Sequence, residues 1–354
     1  MPTAYVTRPY LRLPEHKVTT DEIIDDIRKH HSGHPQLKVI ERVIRGAGVE
    51  TRHFTRPLAS PVVSGGARLD ERNTAAYADA LAQAVHAANG ALEEAGLTPG
   101  DVDAVITSHT TSWASPALDI DLVNHLGLRP DVRRIPMSTL GCVGGAHALT
   151  RAHSHIAAHP GSRVLVVVAE TLSTVYNHRD TTLESMIYKV LFGDSAAAAV
   201  VTDTPLGPGM AITDTWEYVL PHSTDRYRGR LDLEGLHFDS TPQALNGTSD
   251  IMPALHAWIA RTAGEPWTPA WVVVHPGGPR ILHDAARGLG LDTHRDLKHS
   301  WDSLRHCGNL GGAAVLDVLA RTHSAPPPND SPGLLLAFGP GFTVTAAHGT
   351  WYTP

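Results

Sequence analysis

One cysteine stands out because the residues around it suit nucleophilic chemistry. Cys142 lies in a Gly-Cys-Val-Gly-Gly turn, after a strand-like segment and before an alanine-rich segment that runs to Pro160. This pattern predicts that Cys142 lies at a helix N-terminus, where the positive end of the helix dipole lowers the pKa of a thiol from about 8.5. A lone cysteine is more often a small buried residue beneath a turn. Cys142 therefore needs partners before it can be assigned as a nucleophile.

An internal repeat supplies two candidate partners. The sequence from Gly141 to Ala146, GCVGGA, is echoed 167 residues later by GNLGGA from Gly308 to Ala313. The strand-end residue His275 has its own counterpart in His109, at nearly the same interval. A repeat of this length predicts a duplicated βαβ-type unit, with the cysteine and the asparagine at helix N-termini that face one another.

A Cys-His-Asn set brought together in this way suits acyl transfer. The imidazole of His275 stabilises a thiolate at Cys142, and the thiolate accepts an acyl group as a thioester. The imidazole and the Asn309 amide then donate hydrogen bonds to a developing enolate oxygen. Taken singly, His275 is more often a structural strand-end residue and Asn309 a turn or cap residue. Their positions in the repeat favour the catalytic interpretation.

The elements that hold these residues are predicted to form a sheet that is covered on both faces. The apolar runs are continuous rather than alternating, as is typical of strands with helices on either side. The predicted helices are 21–30, 37–45, 72–95 and the segment after Cys142. The first of them follows a capping box at Thr19–Glu22. Predicted strands end at His109 and His275 or span 164–168, 195–201 and 332–336.

Composition excludes several classes of protein. The 354 residues are 42% hydrophobic, 18% charged and carry a net charge of −7 without a basic run, so no nucleic-acid partner is expected. No apolar stretch reaches about 18 residues and the start is unlike a signal peptide, so we expect no membrane association. Two cysteines cannot form a disulfide framework, which favours the cytoplasm. The 23 histidines show no paired-Cys or HExxH spacing, so no metal site is predicted.

Six motifs give the chain a family resemblance over nearly its whole length. They are Leu140-Gly-Cys-Val-Gly-Gly145, Leu191-Phe-Gly-Asp194, Gly235-Leu-His-Phe238, His275-Pro-Gly-Gly-Pro279, Gly308-Asn309 and Ala337-Phe-Gly-Pro-Gly-Phe342. In this order they resemble the type III polyketide synthases, the chalcone synthase-like branch of the thiolase superfamily. The resemblance implies an α/β thiolase-like fold, a duplicated βαβαβ core in five αβαβα layers. It also implies two halves, 1–203 with the nucleophile and 204–354 with the histidine and asparagine.

The resemblance further implies an activity. Such an enzyme is a homodimer that loads an acyl starter from CoA onto Cys142, extends it by decarboxylative Claisen condensation with malonyl-CoA, and cyclises the product. It needs no acyl carrier protein and no cofactor beyond the CoA thioesters. His275 and Asn309 would bind the thioester carbonyl that becomes the enolate when CO2 is lost.

Further site residues follow from the same resemblance. Phe192 and Phe238 match the family's two gatekeeper phenylalanines, and Gly229 matches a cavity-wall position nine residues before the second of them. Basic residues expected at the CoA phosphates are Lys38, Arg42, Arg45 and Arg280.

The chain also departs from the plant enzymes of this family. Its segment Thr110–Pro116 is one residue shorter, and Thr171–Tyr176 and Tyr188-Lys189 differ from the plant pattern, so the starter and product cannot be copied from chalcone synthase. Only 5 of the 29 basic residues are lysine, and alanine is abundant, which favours a bacterial source.

Three other functions remain as alternatives. A ketoacyl synthase that initiates fatty-acid synthesis has the same triad but uses an acyl carrier protein. Its histidine is typically followed by Gln-Ala-Asn, whereas His275 is followed by Pro-Gly-Gly. An acyl-thioester hydrolase would not consume malonyl-CoA. A catalytically inactive scaffold is expected to lack one of the three residues, and all three are present here.

Overall fold

The computed structural model describes residues 2–354, in which strands and helices alternate along most of the chain. The strands are β1 (Ala4–Val6), β2 (Tyr10–Arg12), β3 (His16–Thr19), β4 (Thr51–Phe54), β5 (Ala104–His109), β6 (Arg133–Ser138), β7 (Val164–Glu170), β8 (Ser195–Thr202), β9 (Gly209–Val219), β10 (Tyr227–Asp232), β11 (Gly235–Ser240), β12 (Trp271–Val274), β13 (Pro332–Gly339) and β14 (Thr343–Tyr352). The helices are α1 (Thr20–His30), α2 (Leu37–Gly46), α3 (Pro61–Ser64), α4 (Leu69–Glu94), α5 (Leu118–Leu126), α6 (Gly144–Ala158), α7 (Leu183–Leu191), α8 (Gly247–Ala263), α9 (Pro279–Leu289), α10 (Lys298–Cys307) and α11 (Ala314–Ser324).

The predicted helices and strands are confirmed, with small shifts at their ends. The capping box at the start of α1 is formed: the Thr19 hydroxyl accepts from the Glu22 N–H at 3.2 Å, and the Glu22 carboxylate accepts from the Thr19 N–H at 2.6 Å. Helix α4 begins at Leu69, three residues before the predicted start, because Glu71 accepts a hydrogen bond from the Arg68 N–H and caps the first turn.

The long strands share one hydrogen-bonded sheet in the order β12-β13-β14-β9-β1-β8-β7-β5-β6, with β2 paired to β8. Strand β5 runs parallel to β6 and β7, and β12 runs parallel to β13, as expected for βαβ units. The short strand β1 pairs antiparallel with both β8 and β9 and so joins the strands of the two repeats.

The layers follow from the direction in which successive strand residues point. In β7, Val166 and Val168 face the central helices α6 and α11, whereas Leu165 and Val167 pack with α4 and α5 on the outer face. In β13, Leu335 faces the central layer, and its neighbours pack with α8 and α9. Both faces of each half are therefore covered, which gives the thiolase-like α/β fold and explains the continuous apolar runs.

The two repeats meet along the central layer. The connection between them runs from the end of β8 at Thr202 to the start of β9 at Gly209, while the division into 1–203 and 204–354 stays a prediction. From residue 2 to residue 354, no helix combines the length and the apolar composition that a bilayer crossing requires.

Candidate active site

The two glycine-rich turns of the repeat pack directly against one another. Cys142 lies in a short 3-10 turn, Gly141–Val143, that leads straight into α6, and the matching turn Gly311–Ala313 leads into α11. A Cβ atom on Gly145 would lie 2.2 Å from the carbonyl oxygen of Gly312, so only glycine permits this approach. The turns therefore bring Cys142 and Asn309 together at facing helix N-termini, as the repeat predicts.

Cys142, His275 and Asn309 converge on one buried point. The Cys142 Sγ lies 3.7 Å from Asn309 Nδ2, and His275 Nε2 lies 3.1 Å from Asn309 Oδ1. All three side chains are buried, with His275 directly after the end of β12. The structure thus assembles the three residues from distant parts of the sequence into one hydrogen-bonded group.

The backbone fixes which way the Asn309 amide points. The Gly311 N–H donates to Asn309 Oδ1 at 2.9 Å, so this atom is the carbonyl oxygen and Nδ2 faces the thiol. His275 Nε2 must then carry the proton that it donates to Oδ1, which leaves Nδ1 without a partner. The amide and the imidazole are therefore both available as hydrogen-bond donors beside Cys142.

Backbone pairing also ties Asn309 to the residues on either side of Phe192. The Asn309 N–H donates to the Leu191 carbonyl at 2.7 Å, and the Gly193 N–H donates to the Asn309 carbonyl at 3.1 Å. Asp194, the last residue of the Leu-Phe-Gly-Asp motif, accepts from the Ser173 N–H and hydroxyl at 2.6 Å. This motif therefore positions Phe192 and Asn309 as one unit.

Burial sets the protonation state of the resting site. It raises the pKa of the Cys142 thiol to about 12, which the hydrogen bond from Asn309 only partly offsets, and lowers the pKa of His275 to about 4. Burial therefore opposes the thiolate that the helix N-terminus is expected to favour. These two pKa shifts favour a neutral thiol and a neutral imidazole in the resting pair.

Glu170 is a buried carboxyl group that the sequence analysis did not assign to the site. It ends β7 and lines a small pocket together with Cys142. One of its oxygens accepts from the Thr110 N–H at 3.1 Å, the other has no hydrogen-bond partner in the described chain, and burial raises its pKa to about 8. Its position at the end of a buried strand, directly before Thr171, was the available signal in the sequence.

Four aromatic side chains divide the space around Cys142. Phe192 and Phe238 lie 5.4 Å apart between ring centroids and line the inner pocket, which holds only about 10 Å³. Tyr188 stacks on Phe192 at 5.3 Å and Tyr227 on Phe238 at 5.7 Å, and these two tyrosines face a larger cavity of about 470 Å³. The phenylalanines line only the inner pocket, whereas Cys142 and Tyr227 line both spaces, and Tyr227 was missed by the sequence analysis.

The expectation that Gly229 lines the cavity stays a prediction. Gly229 is exposed on β10, directly opposite Phe238 in the β10–β11 hairpin, and is not among the residues that line either space. A Cβ atom there would lie 3.3 Å from the Phe238 ring, so a larger residue would act on the cavity only by displacing that ring. Residues directly opposite each other in an antiparallel pair share a face, so Gly229 lies on the same face of the hairpin as Phe238.

The expected CoA-binding residues lie on the mouth of the larger cavity or near it. Arg280 lines the cavity and also pairs with the buried carboxylate of Asp284. Helix α2 contributes Val43, Gly46 and Ala47 to the wall, and its basic residues are exposed on the same helix. Arg45 pairs with Asp21 at 3.0 Å, whereas Lys38 and Arg42 have no carboxylate within 4.0 Å in the part of the chain that the structure describes.

A thiolase-like fold with a Cys-His-Asn group at the junction of its two repeats defines a condensing enzyme that acts on acyl thioesters. Two family models match the chain: chalcone and stilbene synthases, N-terminal domain, over residues 12–205, and the C-terminal domain over residues 211–348. The chain therefore belongs to the chalcone and stilbene synthase family, and it is a type III polyketide synthase, an acyltransferase.

Three similar proteins agree with this assignment. The 1,3,6,8-tetrahydroxynaphthalene synthase of Streptomyces griseus is 32% identical over 356 residues, which cover 98% of this chain and 93% of that protein. The phloroglucinol synthase of Pseudomonas fluorescens is 31% identical over 97% of this chain and 98% of its own length. The crystal structure of the Streptomyces coelicolor tetrahydroxynaphthalene synthase matches with a TM-score of 0.94 at 31% identity, over 99% of this chain and 100% of that chain. These matches do not support the ketoacyl synthase alternative.

Proposed function

We propose that Cys142 carries the acyl chain and that His275 and Asn309 bind the thioester carbonyl of malonyl-CoA. The observation that carries this proposal is the orientation of the Asn309 amide, whose Nδ2 faces the thiol while Oδ1 holds the His275 ring. Loss of CO2 leaves a negative charge on the thioester oxygen. Two neutral donors aimed at that oxygen stabilise the enolate, which then attacks the acyl-Cys142 carbonyl.

Loading of the starter requires a change of protonation at the triad. Cys142 must lose its proton, and the free lone pair of His275 lies on Nδ1 in the resting arrangement. The ring therefore has to move its proton from Nε2 to Nδ1 before Nε2 can accept one from the thiol.

The substrates are CoA thioesters that enter through the larger cavity. Lys38 and Arg42 on α2, with Arg280 opposite, provide positive charge for the CoA phosphates, and Arg45 contributes if it leaves Asp21. The product proposed is a cyclised polyhydroxylated aromatic, since two relatives are named for tetrahydroxynaphthalene and phloroglucinol. No cofactor beyond the thioesters is proposed for the reaction.

The enzyme is further proposed to act as a homodimer in the cytoplasm. Two buried free cysteines fit a reducing compartment. The molar mass in solution, measured by light scattering on the full chain, tests the dimer against the 37.9 kDa of one chain.

A matched pair of cysteine variants tests the nucleophile. Cys142→Ala should form no acyl-enzyme adduct and no product, because the covalent step is lost. Cys307→Ala should load and turn over as the wild type does, since Cys307 is buried beside Arg321 and lines neither space around the triad. The measurement is the intact mass of the protein after incubation with an acyl-CoA. An adduct on Cys307, with none on Cys142, would overturn the assignment.

A further inference from the structure

Three potential metal ligands converge on the surface where α1 meets the segment 176–182, which leads into α7. Asp26 and His30 lie one helical turn apart on α1, and His178 lies in that segment. Their ligand atoms all lie within 4.8 Å of one another. Between residues 2 and 354 no other group of three His, Cys, Asp or Glu side chains converges in this way.

The two imidazoles direct their Nε2 atoms at opposite oxygens of the same carboxylate. His178 Nε2 donates to Asp26 Oδ2 at 2.7 Å, and His30 Nε2 lies 3.6 Å from Asp26 Oδ1. The two rings stack with centroids 3.9 Å apart and an interplanar angle of 19°. A group of two imidazoles and one carboxylate is a donor set that suits Zn²⁺.

A bound ion requires a modest contraction of this group. Ligand atoms around a tetrahedral Zn²⁺ with bonds of about 2.0–2.1 Å lie about 3.3 Å apart. Parallel rings cannot aim two lone pairs at one ion, so His30 has to tilt out of the stack. Its side chain is 37% exposed, which leaves it free to do so, while Asp26 and His178 are held more firmly at 16% and 18%.

A buried tyrosine orients the carboxylate from behind. The Tyr176 hydroxyl donates to Asp26 Oδ2 at 2.5 Å, and Tyr176 is only 1% exposed. The Tyr176 hydroxyl therefore holds the carboxylate in place from outside the group, the role that outer hydrogen-bond partners of metal ligands commonly have.

We propose that Asp26, His30 and His178 form a site for a divalent ion of the Zn²⁺ class, which fastens the 176–182 segment to α1. On binding, the proton on His178 Nε2 moves to Nδ1, Nε2 leaves Asp26 and gives its lone pair to the metal, and water completes the coordination. The site is separate from the triad and supplies nothing to the condensation chemistry.

The segment 176–182, which the ion would fasten, contacts two elements that carry aromatic residues near Cys142. Asp180 accepts from His237 Nδ1 at 2.8 Å, and His237 precedes the gatekeeper Phe238. The Thr182 hydroxyl caps α7, which carries Tyr188 into the larger cavity. Metal binding should therefore reduce the mobility of the elements that hold the aromatic residues near Cys142.

Titration of the metal-free full chain with Co²⁺, followed by visible absorption and displacement with Zn²⁺, tests the site. We expect one tightly bound Co²⁺ per chain. His178→Asn and His30→Asn should each weaken binding about tenfold or more, and Tyr176→Phe about tenfold. His159→Asn is the control, since the His159 ring lies beside that of His155, tilted by 52° with 4.8 Å between centroids, but belongs to no group of three ligands among the described residues.

Hydrogen exchange gives a second readout that does not depend on the spectrum. Zn²⁺ should slow amide exchange in residues 176–182 of the wild type and should not slow it in His178→Asn. Co²⁺ affinity that is the same in His178→Asn as in the wild type would overturn the proposal, as would loss of binding in His159→Asn. If amide exchange in residues 176–182 does not change when the ion is bound, the proposal that the ion fastens this segment to α1 is wrong.

Discussion

At the scale of single residues, the acid–base state of the triad is governed by burial. The helix N-terminus favours a thiolate at Cys142 by about 1 kcal/mol. The thiol and the imidazole are both buried away from water, which disfavours either charge more strongly. The resting enzyme therefore keeps its nucleophile protonated, and reactivity depends on what the incoming thioester changes.

The pH dependence of alkylation should reveal this protonated thiol. Only the thiolate reacts with iodoacetamide. With the pKa of Cys142 raised to about 12, the rate of modification should rise about tenfold per pH unit between about pH 7 and 10. His275→Ala should leave this slope unchanged, because the ring is already neutral above about pH 4. The rate is measured on the Cys142 peptide by mass spectrometry. A rate that is constant above pH 7 would contradict the neutral pair.

Replacement of His275 and replacement of Asn309 should impair different steps of the reaction. Asn309→Ala should still load a starter but lose malonyl-CoA decarboxylation by roughly a hundredfold, the effect of one missing oxyanion donor. His275→Ala should impair both loading and decarboxylation, since the ring serves as base and as donor. Release of CO2 and the acyl-enzyme mass are measured separately. Equal loading defects in the two variants, or full decarboxylation in Asn309→Ala, would contradict this division.

At the scale of elements, the contact between the two Gly-Gly turns decides whether the triad assembles. Helices α6 and α11 start beside one another only because Gly145 leaves room for the Gly312 carbonyl. Cys142 is fixed by the first turn and Asn309 by the second, so a shift of one helix against the other separates the nucleophile from its donor.

Gly145→Ala should destabilise the protein and reduce activity together. The new methyl group would lie 2.2 Å from a backbone oxygen, and overpacking of this kind costs about 1–3 kcal/mol. Gly207→Ala is the matched control, because nothing lies within 4 Å of its Cβ position and its backbone is free of left-handed strain. Thermal unfolding midpoints and the rate of acyl loading are compared. A Gly145→Ala variant with wild-type stability and loading would show that the turns are not in close contact.

At the scale of the whole molecule, the short N-terminal strand β1 joins the two repeats. It pairs with β8 of the first repeat and with β9 at the start of the second. Ala4 and Val6 on this strand are buried in the cluster that also contains α6 and α11. The three residues of β1 therefore join the strands of the two repeats into one sheet, and two of them pack in the central core.

Val6→Asp should therefore lower stability severely. Val6 is 1% exposed, and a carboxylate buried there without a partner should cost about 3 kcal/mol or more. Val219→Asp makes the same chemical change on β9, where the side chain is 65% exposed, and should be nearly neutral. The comparison is made by urea unfolding of the two variants. Similar unfolding midpoints for both would mean that β1 is not part of the central core.

The sequence by itself determined the elements and the triad. Continuous apolar runs, capping boxes and glycine-rich turns are local patterns, and the repeat carried the long-range information that placed Cys142 opposite Asn309. The repeat also supplied His275, and the family resemblance added Phe192 and Phe238 as expected gatekeeper residues.

Only the tertiary structure decided how those residues are surrounded. Gly229 pairs directly with Phe238 across the β10–β11 hairpin, so its Cβ position meets the Phe238 ring, a contact that strand pairing and not sequence distance decides. The pKa of Cys142 depends on the side chains that exclude water from it, and these come from several distant elements. Asp26 and His178 are 152 residues apart and share no motif, so their contact arises solely from the packing of α1 against the 176–182 segment.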